Sequence, residues 1–87
     1  MRIIPILDVE TAAMNVGGEL LACVPYPHEA DSSRLALTIV KLNNGRMPYV
    51  CWTYNSDNGG GFTHGDYNET YMGAVVDFAL RLGKLRS

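Results

Sequence analysis

The segment from Leu35 to Leu82 constrains the fold of this chain more than any other part of the sequence. It contains two stretches rich in strand-forming residues, a triple-glycine loop, a third short stretch and then apolar residues at helical spacing. Strand formers joined by short turns predict an antiparallel sheet, and the amphipathic segment predicts a helix that covers it. We therefore expect a single α+β domain over residues 1–87, in which a C-terminal helix packs on an antiparallel sheet of three to four strands.

The dipeptide Asn44-Gly45 predicts a β-hairpin. Asn-Gly is the strongest short signal for a two-residue turn, and here it separates Leu35 to Leu42 from Met47 to Tyr54. With these two residues as the turn, Lys41 faces Pro48. That register places a strongly apolar set of side chains on one face, namely Leu35, Leu37, Ile39, Val50, Trp52 and Tyr54. We expect the C-terminal helix to pack on this face.

The segment after the triple glycine predicts a short strand and then a helix. Phe62 to Tyr67 forms the strand, in which Gly65 allows a close backbone approach, and Asn68 and Gly83 are typical first and last residues of a helix. Apolar residues recur at three- and four-residue steps in that helix: Tyr71, Met72, Val75, Val76, Ala79 and Leu82. Asp77 and Arg81 stand outside this pattern, which predicts an outward-facing pair.

The N-terminal half is less regular. Glu19 to Val24 is an almost continuous apolar run, typical of a strand covered on both faces. Pro25 to Ser33 is polar and interrupted by prolines, which predicts a surface loop. Two alternatives stay open before Gly17: Asp8 caps a short helix over Val9 to Val16, or the first seven residues form an edge strand.

Charge and hydropathy limit the classes of partner. Nine acidic and seven basic residues give a net charge of -2, which supplies no long-range attraction to nucleic acid. The apolar run at the N-terminus is too short for a signal peptide, and no uncharged apolar run approaches the roughly 18 residues of a membrane span. We therefore expect a cytoplasmic protein that binds neither membrane nor, directly, nucleic acid.

The residues that could carry chemistry are scattered along the chain. Cys23 and Cys51 are isolated from each other, so we expect two buried thiols; a disulfide between them requires neighbouring strands. Nothing in the sequence brings His28 or His64 next to either thiol. The residue pattern of a calcium-binding loop is matched only loosely, at Asn55, Asp57, Gly60 and Asp66. We predict no catalytic residue, no metal site and no cofactor.

Aromatic residues are concentrated in one third of the chain. One interpretation is that they form the core and line the sheet. The other is a partner surface, because tyrosines give a large contact area at low entropic cost. The residues that we assign to such a surface are Tyr49, Asp57, Asn58, Asp66 and Tyr67.

Three short motifs carry a resemblance to a known group of proteins. Residues 49–55 read Tyr-Val-Cys-Trp-Thr-Tyr-Asn, and Gly60-Gly61-Phe62 and His64-Gly65-Asp66-Tyr67 follow before the helix. This pattern resembles one in small uncharacterised accessory proteins of phages and plasmids, over the C-terminal half only. In size and acidic character the chain is also similar to anti-CRISPR proteins. The resemblance implies a non-enzymatic inhibitor that binds a protein complex of bacterial defence in the cytoplasm of the host cell.

A second resemblance concerns the order of elements. A helix, several strands and a helix resemble the double-stranded RNA-binding domain, which contacts phosphates through a basic surface. Asn68-Glu69-Thr70 stands where such domains carry lysines at the start of the last helix. This resemblance therefore extends to topology and not to RNA binding.

Two further functions stay open. A small-molecule or nucleotide-binding module requires a cavity between helix and sheet or between protomers, and the closely patterned core predicts none. A structural homo-oligomer, such as a homodimer, would use the half-apolar second face of the hairpin. That face comprises Val40, Leu42, Met47 and Tyr49.

Overall fold

The architecture is a four-stranded antiparallel meander with one helix before it and one after it. A computed structural model describes residues 3–86, and of Asn58 it describes the backbone alone. The elements are α1 (Ile6–Asn15), β1 (Gly18–Pro25), β2 (Leu35–Leu42), β3 (Tyr49–Asn55), a 3-10 turn (Asp57–Gly59), β4 (Gly61–Asn68) and α2 (Tyr71–Arg86). The sheet has the strand order β1-β2-β3-β4. The predicted α+β class, with a C-terminal helix and a short N-terminal helix, is confirmed.

The N-terminal segment is a helix and not an edge strand. α1 begins after Pro5, which has an extended conformation, and Asp8 lies in the first turn, where its charge meets the positive end of the helix dipole. No side chain among the described residues caps this end, so the predicted capping role of Asp8 is wrong. Gly17 follows the last turn with φ +78° and donates its N–H to the carbonyl of Met14. This is typical of a helix that is ended by a residue in the left-handed conformation.

The hairpin of β2 and β3 lacks the two-residue turn that Asn44-Gly45 predicts. Six residues, 43–48, connect the strands, and Lys41 lies opposite Tyr49 instead of Pro48. A proline has no amide hydrogen to donate to a strand ladder. Pro48 contributes only its carbonyl oxygen, which accepts an N–H from the end of β2 at 2.7 Å. The predicted register is therefore wrong by one residue.

This shift changes which side chains share a face. A slip of one residue moves every side chain of one strand to the opposite face relative to the side chains of its neighbour. Ala36 is opposite Tyr54 on one side, and Leu37 is opposite Thr53 on the other. The predicted apolar face is consequently split between the two sides. Leu35, Leu37 and Ile39 lie on one of them, and Val50, Trp52 and Tyr54 lie on the other.

The second face that we predicted for a homo-oligomer does not exist as one surface. Val40 is fully buried on the side of Tyr54, whereas Tyr49 lies on the side of Leu37. Met47 belongs to the connecting loop. A contact between two copies of this chain would therefore need a different surface.

The two helices cover opposite faces of the sheet. α1 packs on β1, and its Val9 joins Ala36 and Tyr54 in a buried cluster. α2 packs across β2, β3 and β4, and its Arg81 bonds to Thr53. We call the two sides the α1 face and the α2 face. The sheet is thus the middle layer of three.

α2 has different ends from those predicted. Thr70 Oγ1 accepts the N–H of Gly73 at 3.1 Å, which is the geometry of an N-cap. Asn68 instead donates from its side chain to Asp77 at 2.8 Å. The helix continues past Gly83. Within residues 3–86, neither helix is long and apolar enough to cross a membrane.

The orientation of α2 also differs from the prediction. Asp77 and Arg81, expected in solvent, are turned toward the sheet and form hydrogen bonds with β3, β4 or its end. Met72, Val76 and Leu80 are instead 67%, 52% and 63% exposed. The α2 face of the sheet offers carbonyl and hydroxyl acceptors, so the polar side of the helix is the one that finds partners there.

The two cysteines are free thiols on opposite faces. Cys23 lies opposite Thr38 and therefore on the α1 face, whereas Cys51 lies opposite Ile39 on the α2 face. β2 separates their strands. The condition for a disulfide, namely neighbouring strands, is not met.

Candidate functional site

A β-bulge in β4 is the most distinctive local feature of the molecule. Thr63 pairs with Thr53 and Asp66 pairs with Cys51, so a single residue of β3 faces two residues of β4, His64 and Gly65. His64 has φ +55°, a left-handed conformation that is uncommon for a residue with a side chain. Such strain persists only where surrounding contacts fix it, and it occurs preferentially at functional sites.

Gly65 is required at this bulge because the indole of Trp52 lies against its backbone. A Cβ atom at position 65 would overlap Trp52 Nε1 and Cδ1. The ring is in turn held by stacking on Phe62, with centroids 4.9 Å apart, and by an edge contact with Tyr67 at 5.9 Å. The close backbone approach predicted at Gly65 is therefore confirmed.

Arg81 of α2 fixes the other side of the bulge. Its Nη1 donates to the carbonyl oxygens of Cys51 at 2.9 Å and His64 at 2.8 Å, and its Nη2 donates to Thr53 Oγ1 at 2.9 Å. The guanidinium thus joins β3, β4 and α2 at one point. Its rigid fork directs donors from two nitrogens at these acceptors, whereas a lysine has all its donors on a single nitrogen.

The positive charge of Arg81 is only partly neutralised. The carboxylate of Asp66 lies 3.4 Å from Nη1, and its side chain is 57% exposed. Asp77, one turn earlier on α2, is engaged with Asn68. Most acceptors around the guanidinium are neutral, and within residues 3–86 its Nε and one hydrogen of Nη2 meet no acceptor. This group can therefore attract a further anion or carbonyl oxygen.

An open cleft lies over this arrangement. It has a volume of about 550 Å³ and is lined by Tyr26, Thr53, His64, Gly65, Asp66 and Arg81. The hydroxyl groups of Tyr26 and Thr53 are 2.9 Å apart and share a hydrogen bond. The lining thus combines a guanidinium, two hydroxyls, an imidazole and a carboxylate. We take this bulge cleft as the candidate functional site.

The thiol nearest to the bulge cleft is not activated as a nucleophile. Cys51, the nearest thiol, is fully buried, and burial raises its pKa, although the charge of Arg81 acts in the opposite direction. A thiol that stays protonated is a poor nucleophile. Among the described residues, no three His, Cys, Asp or Glu side chains are grouped so that they could hold a metal ion.

The five residues that we assigned to a partner surface do not form one patch. Tyr49 is at the start of β3, beside Tyr71 on the α2 face, and Asp57 follows the end of that strand, where it pairs with Arg34 at 2.9 Å. Tyr49 and Asp57 thus lie near opposite ends of the seven-residue strand β3, at least roughly 20 Å apart. Asn58 shares the 3-10 turn with Asp57, but its side chain is outside the described part.

Asp66 and Tyr67 are neighbours in β4 and point to opposite faces. Asp66 lines the bulge cleft, whereas Tyr67, 52% exposed, packs on Trp52 on the α1 face. Asp66 is therefore the one predicted residue that belongs to the candidate site. A role of any of the five in partner binding stays a prediction.

The sequence did not single out Arg81, His64 or Tyr26 as site residues. A signal was present for the bulge, because an isolated glycine inside a strand pattern, here Gly65, is typical of one. No comparable signal marks Tyr26, which the sheet register alone brings beside Thr53.

Comparisons of the chain with protein-family models, with curated proteins and with solved structures gave no match.

Proposed function

We propose that this protein acts by binding another protein, without catalysis of its own, and that it inhibits a protein complex of bacterial defence. The observation that supports binding is the exposure of β4. Five consecutive residues, Thr63 to Tyr67, are exposed on an edge strand next to the bulge cleft. The motifs that resemble those of accessory proteins of phages and plasmids lie in this same part of the chain.

Edge strands with unpaired backbone groups are natural docking sites for other chains, and a bulge turns side chains toward a partner. Here the bulge turns His64 out beside a cleft that is open to solvent. A closed pocket would suit a small ligand, since such sites bury most of the ligand surface. An open cleft of this kind suits one or two side chains of a protein.

The chemistry of the cleft favours an acidic or carbonyl group of the partner. Arg81 lines the cleft and is held in place by three acceptors, and among the described residues its Nε and one hydrogen of Nη2 meet no acceptor. A preorganised guanidinium loses little side-chain entropy when it binds a carboxylate. Asp66, 57% exposed and at 3.4 Å, can move away from Arg81 as the partner enters.

The test uses purified CRISPR effector complexes immobilised one at a time, with the wild-type protein and His64→Gly as analytes. Glycine accepts φ +55° without strain, so this variant removes the imidazole and keeps the bulge. We expect the variant to unfold at the same or a higher temperature and to bind at least about tenfold more weakly. Leu7→Ala, which trims an exposed side chain of α1, is the control and should bind as wild type.

Equal binding by a folded His64→Gly variant would remove the bulge cleft as the contact surface. A wild-type protein that binds none of the complexes, and that leaves the defence of living bacteria against a plasmid unchanged, would refute the inhibitor proposal itself. The two outcomes are separate because the second uses no variant.

A further inference from the structure

The outward side of α2 is an apolar stripe along the whole helix. Met72, Val76 and Leu80 are 67%, 52% and 63% exposed, and the small residues Ala79 and Gly83 are exposed beside them. Scattered exposed apolar side chains are ordinary in a monomer. A continuous stripe on the side where a surface helix normally carries charges indicates an interface.

The spacing of this α2 stripe is that of a helix–helix seam. Met72, Val76, Ala79 and Gly83 follow one another at steps of four, three and four residues, which is the 3.5-residue repeat of a coiled coil. Leu80 lies one turn after Val76 and borders the seam. Since α2 already packs on the sheet with its other side, the seam is available to a second helix.

We propose that the occupant of the α2 stripe is α2 of a second copy of this chain, in antiparallel orientation, so that the protein forms a twofold-symmetric dimer. An antiparallel register exists in which Met72 lies opposite Gly83 of the partner and Val76 opposite its Ala79. In each pair a large side chain meets a small one. By symmetry each pair occurs twice, as an isologous interface requires.

The same register is complementary in charge. It places Glu69, just before α2, opposite Arg86 at the end of the partner helix, and both residues are exposed. The two helix dipoles also run in opposite directions, which is favourable. A parallel pair would set Glu69 against Glu69 and leave a gap where Gly83 meets Gly83. Charge and volume therefore favour the antiparallel dimer.

This interface is independent of the proposed function. The α2 stripe faces solvent, whereas the bulge cleft lies on the inward side of α2, where Arg81 meets the sheet. The two surfaces can be occupied at the same time. A dimer would then present two bulge clefts, which raises avidity for a partner with repeated subunits.

Size in solution tests the dimer directly. Light scattering during size-exclusion chromatography should give a mass that approaches twice the chain mass of 9.6 kDa as the concentration is raised over a roughly hundredfold range. Val76→Glu places a charge in the centre of the seam and should give the monomer mass throughout. Met14→Glu places the same charge on an exposed apolar site of α1, 73% exposed, and should dimerise as wild type.

Charge exchange tests the register. Glu69→Arg or Arg86→Glu alone turns both ion pairs of the dimer into like-charge pairs and should weaken association roughly fivefold to tenfold. The double variant restores opposite charges across the antiparallel interface and should regain most of the affinity. A loss of helix stability alone would not be restored in this way.

Three results would overturn the proposal. A wild-type chain that stays monomeric at every concentration refutes the dimer. A folded Val76→Glu variant that dimerises as wild type shows that the α2 stripe is not the interface. A double charge variant no better than the single ones refutes the antiparallel register.

Discussion

The two faces of the sheet are held by different kinds of interaction. On the α1 face, Val9 and Ala36 are fully buried around Tyr54, and Phe62 packs against the tyrosine ring at 5.6 Å. On the α2 face, apolar residues are also buried, but the helix is fixed by the three short hydrogen bonds of Arg81. One helix is thus positioned by the shape of apolar side chains and the other by directional polar contacts.

The hydrogen bonds of Arg81 also bear on the apolar stripe that α2 leaves in solvent. On α1, Leu7 and Met14 are 69% and 73% exposed, so apolar packing alone does not turn every large apolar side chain inward. Directional bonds to fixed acceptors can select another orientation when burial on the two sides of the helix differs little. We call the three hydrogen bonds of Arg81 to Cys51, Thr53 and His64 the Arg81 clamp. This clamp therefore determines which side of α2 remains free for a partner.

The largest effect should come from the centre of the α1 face. Tyr54→Ala removes a ring that is 4% exposed and leaves a cavity between α1 and the sheet. We expect the free energy of unfolding to fall by about 3 to 5 kcal/mol, measured by urea denaturation. Tyr54→Phe keeps the ring and should cost less than about 1 kcal/mol. Equal losses in both variants would mean that the hydroxyl, and not apolar packing, holds this face.

A smaller loss should follow removal of the clamp on the α2 face. Arg81→Met keeps the apolar stem but leaves the carbonyl groups of Cys51 and His64 without their donor, so we expect a loss of about 2 to 4 kcal/mol in the same measurement. Arg46→Met, in the exposed loop before β3, is the matched control and should change stability by less than about 0.5 kcal/mol.

A clamp role also predicts a change at the bulge itself. Without Arg81, the amides around His64 should exchange hydrogen faster, while those of β1 and β2 should keep their protection. If Arg81→Met costs no more than Arg46→Met, the α2 face is held by apolar packing as the α1 face is, and the contrast between them disappears.

The smallest effect concerns alkaline pH. Burial raises the pKa of Cys23 on the α1 face, with Glu10 adding to it, and burial raises the pKa of Cys51 on the α2 face against the opposing charge of Arg81. The raised pKa values make the free energy of unfolding depend on pH, because the thiols of the unfolded chain lose their protons first. The contribution of the two protonated thiols to stability is complete below their ordinary pKa near 9. It is lost as the pH rises through the raised values.

Urea denaturation at several pH values measures this dependence. Cys23→Ala and Cys51→Ala should each reduce the fall in stability above about pH 9, and the double variant should leave only the later contribution of Tyr54, whose pKa burial also raises. In Arg81→Met the opposing charge is gone, so the alkaline fall should become steeper. A slope that no cysteine substitution changes would contradict the desolvation of half-buried Cys23 and buried Cys51.

Much of the fold could be predicted from particular residues. The strand from Leu35 to Leu42 has the predicted limits, because its strand formers are bounded by turn residues on both sides. Gly17 was recognised because glycine adopts the left-handed conformation of a helix end without strain, and Gly65 because a residue without a Cβ atom allows a close approach. The register of the hairpin could not be predicted, since Asn44-Gly45 and Pro48 favour different loops.

The candidate site was largely beyond prediction. Asp66 was identified, whereas Arg81 was assigned to solvent because helical periodicity sorts residues by hydropathy. Its three acceptors lie on β3 and β4, far from Arg81 in the sequence, and come together only when these two strands pair and α2 packs on them. Periodicity contains no information about such long-range partners.

The sequence by itself determined the α+β class, the positions of the loops between the strands and the helical spacing of apolar residues on the last helix, because these follow from local conformational preference and from the spacing of side chains. The tertiary structure decided the register of β2 and β3, the faces that the helices cover and the direction of Arg81. The reason is physical: a one-residue slip costs little locally but exchanges the two faces of the sheet, and only packing and hydrogen bonds across strands distinguish the alternatives.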